Sequence, residues 1–173
     1  DIHPEDISKM TGGVKDSDNI MKLLTACSGF TYNEEGEGVR FKHNPKAEIL
    51  SDLLEDILSS EGNKAIIWYN FRFDVILIKE LLQKLGHKFM CITTEDKVAD
   101  RMRIIQEFEA QTECKILLTS PHLTAEGFDI ITANHAIYYD LNFRFDLIKQ
   151  TEARNRRFGS AELHSHIFYH RII

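Results

Sequence analysis

The stretch KAIIWYNFRFDVILIKELLQKLG, residues 64–86, carries the pattern that decides the fold. Residues 65–69 form a short apolar run, which is typical of a strand buried on both faces. Apolar residues then recur at helical spacing from Leu77 to Leu85, and Gly86 supplies a helix end. A buried strand followed by an amphipathic helix predicts one βα unit of a parallel sheet.

The same alternation of strand and helix patterns continues to the end of the chain. Short apolar runs predict four further strands, at 89–92, 116–119, 136–139 and 166–169. Helical spacing predicts two further helices, at 97–110 and 144–156. The first is expected to bury Met102, Ile105 and Phe108, and the second to stop before Gly159. Strands that alternate with helices pair in parallel through right-handed crossovers. The sequence therefore predicts an α/β fold, a parallel sheet with helices on both faces.

The first 44 residues predict a small appendage to this domain. Ile20, Leu23, Leu24 and Cys27 make one apolar stripe of a short helix. Two short runs at 30–32 and 39–41 then flank an acidic, glycine-containing tip, which predicts a hairpin.

The boundary to the main domain falls at a helix start. Asn44 suits the N-cap and Pro45 the first helical position. We therefore divide the chain into an appendage, residues 1–44, packed on a main domain, residues 45–173.

Composition limits the class of protein. The 173 residues carry a formal charge of −6, so a contact with nucleic acid requires a local patch rather than a basic surface. No apolar run reaches the ~18 residues of a membrane span, and three scattered cysteines suit a reducing cytosol. The chain begins with Asp1 rather than Met, so we expect it to be part of a longer protein.

Several catalytic and binding signatures are missing from the sequence. It has no GxGxxG for a dinucleotide, no GxxxxGK[ST] for a triphosphate, and no GxSxG nucleophile turn. It also lacks the HExxH and Cys/His spacings of zinc sites. The neighbouring His164, His166 and His170 read as edge or solvent-facing residues of a strand, and we expect no metal site.

The sharpest signal is QTEARNRRFGS, residues 150–160. At about 100° per residue, a helix places Gln150, Arg154 and Arg157 on one face and Arg156 elsewhere. Two guanidiniums and an amide on one face suit phosphate oxygens. On spacing alone, a solvated basic helix end that complements the helix dipole is an equally good interpretation.

With its neighbours, this stretch resembles a known family. QTEARNRRFGS is similar to motif VI, Q-x-x-x-R-x-x-R-x-G-Q, of superfamily 2 helicases and translocases, especially those of the Swi/Snf type. Residues 116–140, ILLTSPHLTAEGFDIITANHAIYYD, resemble motif V, and residues 64–86 resemble motif IV. Arg101, with Ile105 and Phe108, matches the family's R-x-x-x-I-x-x-F segment.

The resemblance covers one lobe of a two-lobed motor. The four matches are in order from Lys64 onwards, and the opening MKLLTACSGFTYNEEG resembles the lead-in to this lobe in phage and prophage members. The resemblance implies a RecA-like C-terminal lobe whose partner is the N-terminal lobe of the same protein. That partner lobe would hold most of the ATP and its Mg²⁺.

Carried over residue by residue, the resemblance implies a set of nucleotide contacts. Arg157 would be the arginine finger on the γ-phosphate, with Arg154 its companion, and Gln150 would orient the pair and couple it to nucleic acid. Gly127 and Asp129 would form the turn beside the nucleotide, although a plain surface turn is the alternative.

The family also implies contacts with the DNA backbone at the ends of the strands. Thr119, Ser120 and His122 follow the third strand of the main sheet, and Asn70 and Arg72 follow its first. Such contacts position a strand without reading its sequence. The alternative for Thr119 and Ser120 is that their hydroxyls only close a loop. Trp68 is expected in the core rather than as a stacking platform, and Tyr138 and Tyr139 in strand packing.

Three residues depart from the family pattern. Ala125 replaces a Gly common in motif V, Asp129 stands where Swi/Snf members often have Asn, and Ser160 replaces the terminal Gln.

Two alternatives to a motor function remain open. One is a degenerate lobe that only scaffolds partners, and the other is a free-standing α/β enzyme, for which no nucleophile or cofactor signature is present.

Overall fold

The structure is a computed structural model that describes residues 16–123, 129–140, 145–157 and 159–173. The chain divides into two compact units, Asp1–Lys46 and Ala47–Ile173. The predicted appendage ends two residues before this division, and its packing on the main domain stays a prediction. Within the described part of the chain, no helix has the length and apolar character needed to cross a membrane.

The first unit contains helix α1 (Asp16–Cys27) and the antiparallel hairpin of β1 (Phe30–Tyr32) and β2 (Gly38–Arg40). The hairpin confirms the sequence prediction. Its tip is closed by the Asn33 side chain, whose Oδ1 accepts hydrogen bonds from two backbone N–H groups of the turn.

The predicted apolar stripe of α1 does not form the buried face of the helix. Ile20 and Leu23 are exposed, whereas Thr25 and Ser28 are buried. The hydroxyls of Thr25 and Ser28 donate back to helical carbonyl oxygens, which allows these polar side chains to be buried without an unsatisfied group.

The second unit is a five-stranded parallel sheet of β3 (Ala65–Trp68), β4 (Phe89–Cys91), β5 (Ile116–Thr119), β6 (His135–Tyr138) and β7 (Phe168–Arg171). The spatial order is β4-β5-β3-β6-β7, and every neighbouring pair is parallel. β3, at the centre, pairs with β5 and β6. The parallel sheet confirms the predicted α/β class.

Helices connect the strands. They are α2 (Pro45–Leu58), α3 (Arg72–Lys84), α4 (Val98–Ala110), α5 (Phe145–Asn155) and the single turn α6 (Ser160–Leu163). Proline at the first position of α2 agrees with the predicted helix start. α3 begins at Arg72, where the buried Asp74 carboxylate accepts a hydrogen bond from the Phe71 backbone N–H and so caps the helix.

Both faces of the sheet are covered by apolar side chains. Alternate residues of the central strands pack against α2 and α3 on one face, through side chains such as Leu54, Ile67 and Leu82. The other residues, such as Ile66 and Leu117, pack against α4 on the opposite face, where Phe108 is fully buried. Burial on both faces explains the unbroken apolar runs.

Three predictions need correction. β7 lies two residues later than predicted, because the Phe168 backbone N–H is the group that reaches the carbonyl of Asn134. Met102, expected on the buried face of α4, is 44% exposed. α5 ends at Asn155, so Arg157 lies beyond the helix rather than on its face.

Candidate functional site

Helix α5 runs antiparallel to β6. Near its middle, the Thr151 hydroxyl lies 2.8 Å from that of Tyr138, at the carboxyl end of β6. One turn later, the Asn155 amide reaches the carbonyl of Ala133, which precedes the amino end of the same strand. The end of α5 is therefore placed beside the segment that leads into β6.

This placement gathers three charged side chains, which we call the arginine site: Asp129, Arg154 and Arg157. Asp129 Oδ1 lies 3.0 Å from Arg157 Nε and 4.0 Å from Arg154 Nη1. The Arg154 side chain is only 13% exposed, while those of Arg157 and Asp129 are about half exposed. Two guanidiniums that meet beside open solvent form a site suited to an anion.

The two predicted halves of the site, motif V and motif VI, are joined by backbone as well as by charge. The Ile130 N–H donates to the Arg154 carbonyl at 3.1 Å. Asn155 Nδ2 donates to the carbonyls of Ile130 and Ala133, at 3.4 and 3.2 Å, and Asn155 is fully buried. These bonds fix the backbone on both sides of the arginines.

Asn155 is the residue that sequence reasoning missed. Ile148, Thr151 and Asn155 follow one another at i, i+3 and i+7, so they lie on the same face of α5. An amide on the buried face of a helix signals an internal hydrogen-bond partner.

Arg157 lies two residues beyond the end of α5. After it, Gly159 has φ +96°, a left-handed conformation that favours glycine, and the Ser160 N–H and hydroxyl both donate to the Arg157 carbonyl. Arg154 and Arg157 both face Asp129, although Arg157 is not on the helix. Gln150 lies one turn before Arg154 and is exposed.

The predicted DNA contacts lie at the carboxyl ends of β3 and β5. Arg72 and His122 are exposed there, and Asn70 is half-buried. Arg72 Nη2 lies 3.6 Å from the Glu95 carboxylate, and both side chains are more than 80% exposed. The end of α5, which carries Arg154, lies instead beside the segment that leads into the amino end of β6.

Two of the predicted DNA-contact residues are inside the protein. Thr119 is fully buried and Ser120 is 6% exposed. Thr119 is in register with Trp68 on β3, so it points to the same buried face as that indole. A surface contact through the Thr119 hydroxyl is therefore excluded in this structure. Gly127, predicted beside the nucleotide, lies outside the described residues.

Burial also determines the protonation state of Tyr138, whose hydroxyl contacts Thr151 on α5. It raises the pKa of Tyr138 well above its usual range, so the phenol stays neutral. Because Thr151 donates its own proton to the Ile148 carbonyl, Tyr138 is the donor of their shared hydrogen bond.

The histidine prediction is partly confirmed. His170 is on the edge strand β7, as expected, whereas His164 and the exposed His166 precede that strand. His170 lies against the buried His135, with ring nitrogens 3.0 Å apart. Burial, with His170 nearby, lowers the pKa of His135 to about 4, so this pair is neutral near pH 7. Among the described residues, no group of three or more His, Cys, Asp or Glu is arranged to hold a metal ion.

Comparison with solved structures supports the fold. The crystal structure of the C-terminal part of the Fun30 ATPase domain matches with a TM-score of 0.70 at 20% identity, covering 98% of this chain and 60% of that chain. At that identity, the likeness shows a shared RecA-like fold.

Curated relatives are of the SWI/SNF type. The chain is 28% identical over 114 residues to the SWI/SNF-related matrix-associated actin-dependent regulator of chromatin subfamily A containing DEAD/H box 1 homolog of Caenorhabditis elegans. It is 25% identical over 117 residues to the ATP-dependent helicase FUN30 of Saccharomyces cerevisiae. These alignments cover 66% and 68% of this chain but 11% and 10% of the relatives.

A family model settles which domain this is. The helicase conserved C-terminal domain matches residues 45–159, which include both arginines, Asp129 and Asn155. The match begins at Pro45, the first residue of α2. The chain therefore belongs to the helicase conserved C-terminal domain family, and its relatives indicate a lobe of the Snf2-like kind.

Proposed function

We propose that this chain is the C-terminal motor lobe of an ATP-dependent DNA helicase or translocase. Arg157 acts as the arginine finger on the γ-phosphate of ATP, Arg154 assists it, and Gln150 couples the pair to nucleic acid. ATP binding closes this lobe on an N-terminal P-loop lobe of the same protein, and hydrolysis reopens the two.

One observation carries the proposal: the convergence of Arg154 and Arg157 on a single point beside solvent. Phosphoryl transfer places negative charge on the transferring oxygens, and a planar guanidinium stabilises that charge with paired hydrogen bonds. In GTPases, a finger of this kind raises the rate by ~10³–10⁵. A fixed backbone reduces the reorganisation needed when the charge develops.

The fragment is proposed to be inactive alone. Its sequence has no GxxxxGK[ST], so the cradle for the β- and γ-phosphates, and most of the Mg²⁺ coordination, belong to the other lobe. When bound there, Mg²⁺ would neutralise part of the phosphate charge. This chain supplies the positive charge of Arg154 and Arg157 from the opposite side.

For DNA, we propose backbone contacts by Asn70, Arg72 and His122 at the carboxyl ends of β3 and β5, with Ser120 contributing through its backbone. The SWI/SNF character of the relatives supports DNA as the nucleic acid. A phage or prophage origin, suggested by the opening segment, and a cytoplasmic location stay predictions.

The test compares the full-length protein with this chain. We expect ATP hydrolysis by the full-length protein to rise when duplex DNA is added, and the 173-residue chain alone to release phosphate no faster than buffer. Turnover by the chain alone would contradict the half-motor. A full-length protein that neither hydrolyses ATP nor responds to DNA would instead support the scaffold alternative.

A further inference from the structure

Asp129 occupies the position that a bound phosphate is proposed to take on Arg157. Its Oδ1 lies 3.0 Å from Arg157 Nε, a donor of the guanidinium fork. The same oxygen is 4.0 Å from Arg154 Nη1. One carboxylate oxygen therefore faces both guanidiniums that the proposed function assigns to ATP.

The position of Asp129 is not that of a loosely attached surface carboxylate. The next residue, Ile130, is fully buried, and its N–H and carbonyl are both bonded to the end of α5, at Arg154 and Asn155. Asp129 is therefore held within reach of the arginines by the backbone. Its approach to Arg157 costs little further ordering.

The charges at the arginine site predict that Asp129 competes with phosphate for Arg157. An arginine binds phosphate most tightly when adjacent N–H groups form two parallel bonds, and Arg157 Nε already faces Asp129 Oδ1 in an ion pair at 3.0 Å. Asp129 also reduces the charge of the arginine site from +2 to +1. A phosphate must displace this carboxylate before it can use the complete fork.

We propose that Asp129 is an internal competitor that holds Arg157 in the resting lobe and lowers the affinity of the arginine site for polyphosphate. The inference rests on the proposed role of Arg157 toward phosphate and adds its regulation. The resemblance sharpens it, because Swi/Snf relatives often have asparagine here. An asparagine keeps the shape of the side chain but not its charge.

The experiment measures pyrophosphate binding to the 173-residue chain by calorimetric titration at low salt. We expect Asp129→Asn to tighten binding about fivefold, the size of a half-exposed ion pair, and Asp129→Ala to tighten it as well. Arg157→Ala should abolish most of the binding. The double variant Asp129→Asn/Arg157→Ala should gain nothing over Arg157→Ala.

Glu152→Gln is the matched control. Glu152 lies on the same helix as Arg154 and pairs with Arg171 at 3.1 Å, with exposure similar to that of the Asp129–Arg157 pair. Glu152→Gln changes the net charge of the protein by the same amount as Asp129→Asn, but away from the arginine site. Its pyrophosphate affinity should stay within about twofold of the parent chain, which separates local competition from a general charge effect.

The outcomes separate the inference from the proposed function. Suppose that Asp129→Asn and Asp129→Ala leave pyrophosphate binding unchanged or weaken it, while Arg157→Ala still abolishes it. The proposed competition by Asp129 is then wrong, and the proposed phosphate role of Arg157 is unaffected. An equal gain in Glu152→Gln would also overturn the competitor. If pyrophosphate binding is absent in every variant, or indifferent to Arg157→Ala, the inference fails. The finger is then tested separately by ATP hydrolysis of the full-length Arg157→Ala variant, because a finger acts mainly on charge that develops in the transition state.

Discussion

Arg157 and Arg72 each face a carboxylate of their own chain, but in different surroundings. Arg157 Nε lies 3.0 Å from Asp129, and both side chains are about half exposed. Arg72 Nη2 lies 3.6 Å from Glu95, and their side chains are 87% and 81% exposed. The first pair lies beside a backbone junction made by the buried Asn155, whereas the second joins a helix start to a loop.

The difference shows that fixation of the backbone, more than the presence of an ion pair, separates the two regions. Fully solvated pairs lose most of their Coulomb energy to water and salt, and they must also order two long side chains. At the arginine site, part of that ordering is already provided by the fold. We therefore expect substitutions at the arginine site to have large effects and those around Arg72 to have small ones.

The largest expected effect is on catalysis. In the full-length protein, Arg157→Ala should lower the rate constant of ATP hydrolysis by ~10³-fold, equivalent to about 4 kcal/mol of transition-state stabilisation. Nucleotide affinity should change far less, because the finger acts mainly on charge that develops during the reaction. Single-turnover hydrolysis and nucleotide titration measure the two effects separately.

Two variants test whether the assignment is specific. Arg157→Lys should restore little activity, since an ammonium lacks the planar fork. Arg156→Ala removes the neighbouring exposed guanidinium and should be nearly silent. A crippled Arg156→Ala beside an active Arg157→Ala would show that the motif has been placed in the wrong register.

The second prediction concerns the junction itself. Asn155→Ala removes two hydrogen bonds and leaves the carbonyls of Ile130 and Ala133 buried without this donor. We expect the free energy of unfolding to fall by about 2–3 kcal/mol. Urea unfolding of the 173-residue chain should show a lower midpoint with an unchanged slope.

Lys149→Ala is the control for this loss. Lys149 is exposed on the same helix, so its truncation should change the free energy of unfolding by less than about 0.5 kcal/mol. A loss in Asn155→Ala no larger than that in Lys149→Ala would mean that the two hydrogen bonds of Asn155 do not stabilise the fold. The arginine site would then lack the rigid support that distinguishes it from Arg72.

Most of the fold could be predicted from sequence, because parallel strands buried on both faces leave continuous apolar runs. Residues 65–68 and 116–119 are strands with every residue buried, as predicted. Trp68 and Tyr139 are in the core, as expected. The least accurate strand was β7, at the sheet edge, where partial exposure weakens the apolar pattern.

The site was less predictable, because its contacts join residues distant in sequence. The motif named Arg154, Arg157 and Asp129, yet spacing alone could not show one carboxylate oxygen facing both guanidiniums. The resemblance assigned Thr119 to a DNA contact, whereas the structure buries its side chain. Its orientation depends on the register of β5 with β3, which the local sequence does not contain.

The third prediction concerns Arg72, the arginine for which we expect the smaller effects. In the full-length protein, Arg72→Ala should reduce DNA affinity about threefold at low salt and lower the slope of log affinity against log salt by about one. Lys84→Ala, at the other end of α3, removes the same charge away from the strand ends and should change neither value. If the loss of DNA affinity in Arg72→Ala is the same at high salt, the proposed contact of Arg72 with a phosphate is contradicted.

The smallest expected effect comes from releasing Arg72. Glu95→Gln removes the carboxylate 3.6 Å from the guanidinium, and we expect DNA affinity to rise by about twofold, less than the fivefold gain expected for pyrophosphate in Asp129→Asn. The gain is smaller because both side chains are solvated and Glu95 occupies Arg72 for only part of the time. Glu113→Gln, which breaks the pair with Lys88, whose side chains are 71% and 76% exposed, serves as the charge-matched control and should leave DNA affinity unchanged. Fluorescence anisotropy with a labelled duplex at several salt concentrations measures all three proteins. If Glu95→Gln tightens DNA binding as strongly as Asp129→Asn tightens pyrophosphate binding, backbone fixation does not set the strength of these pairs, and the contrast between the two arginines fails.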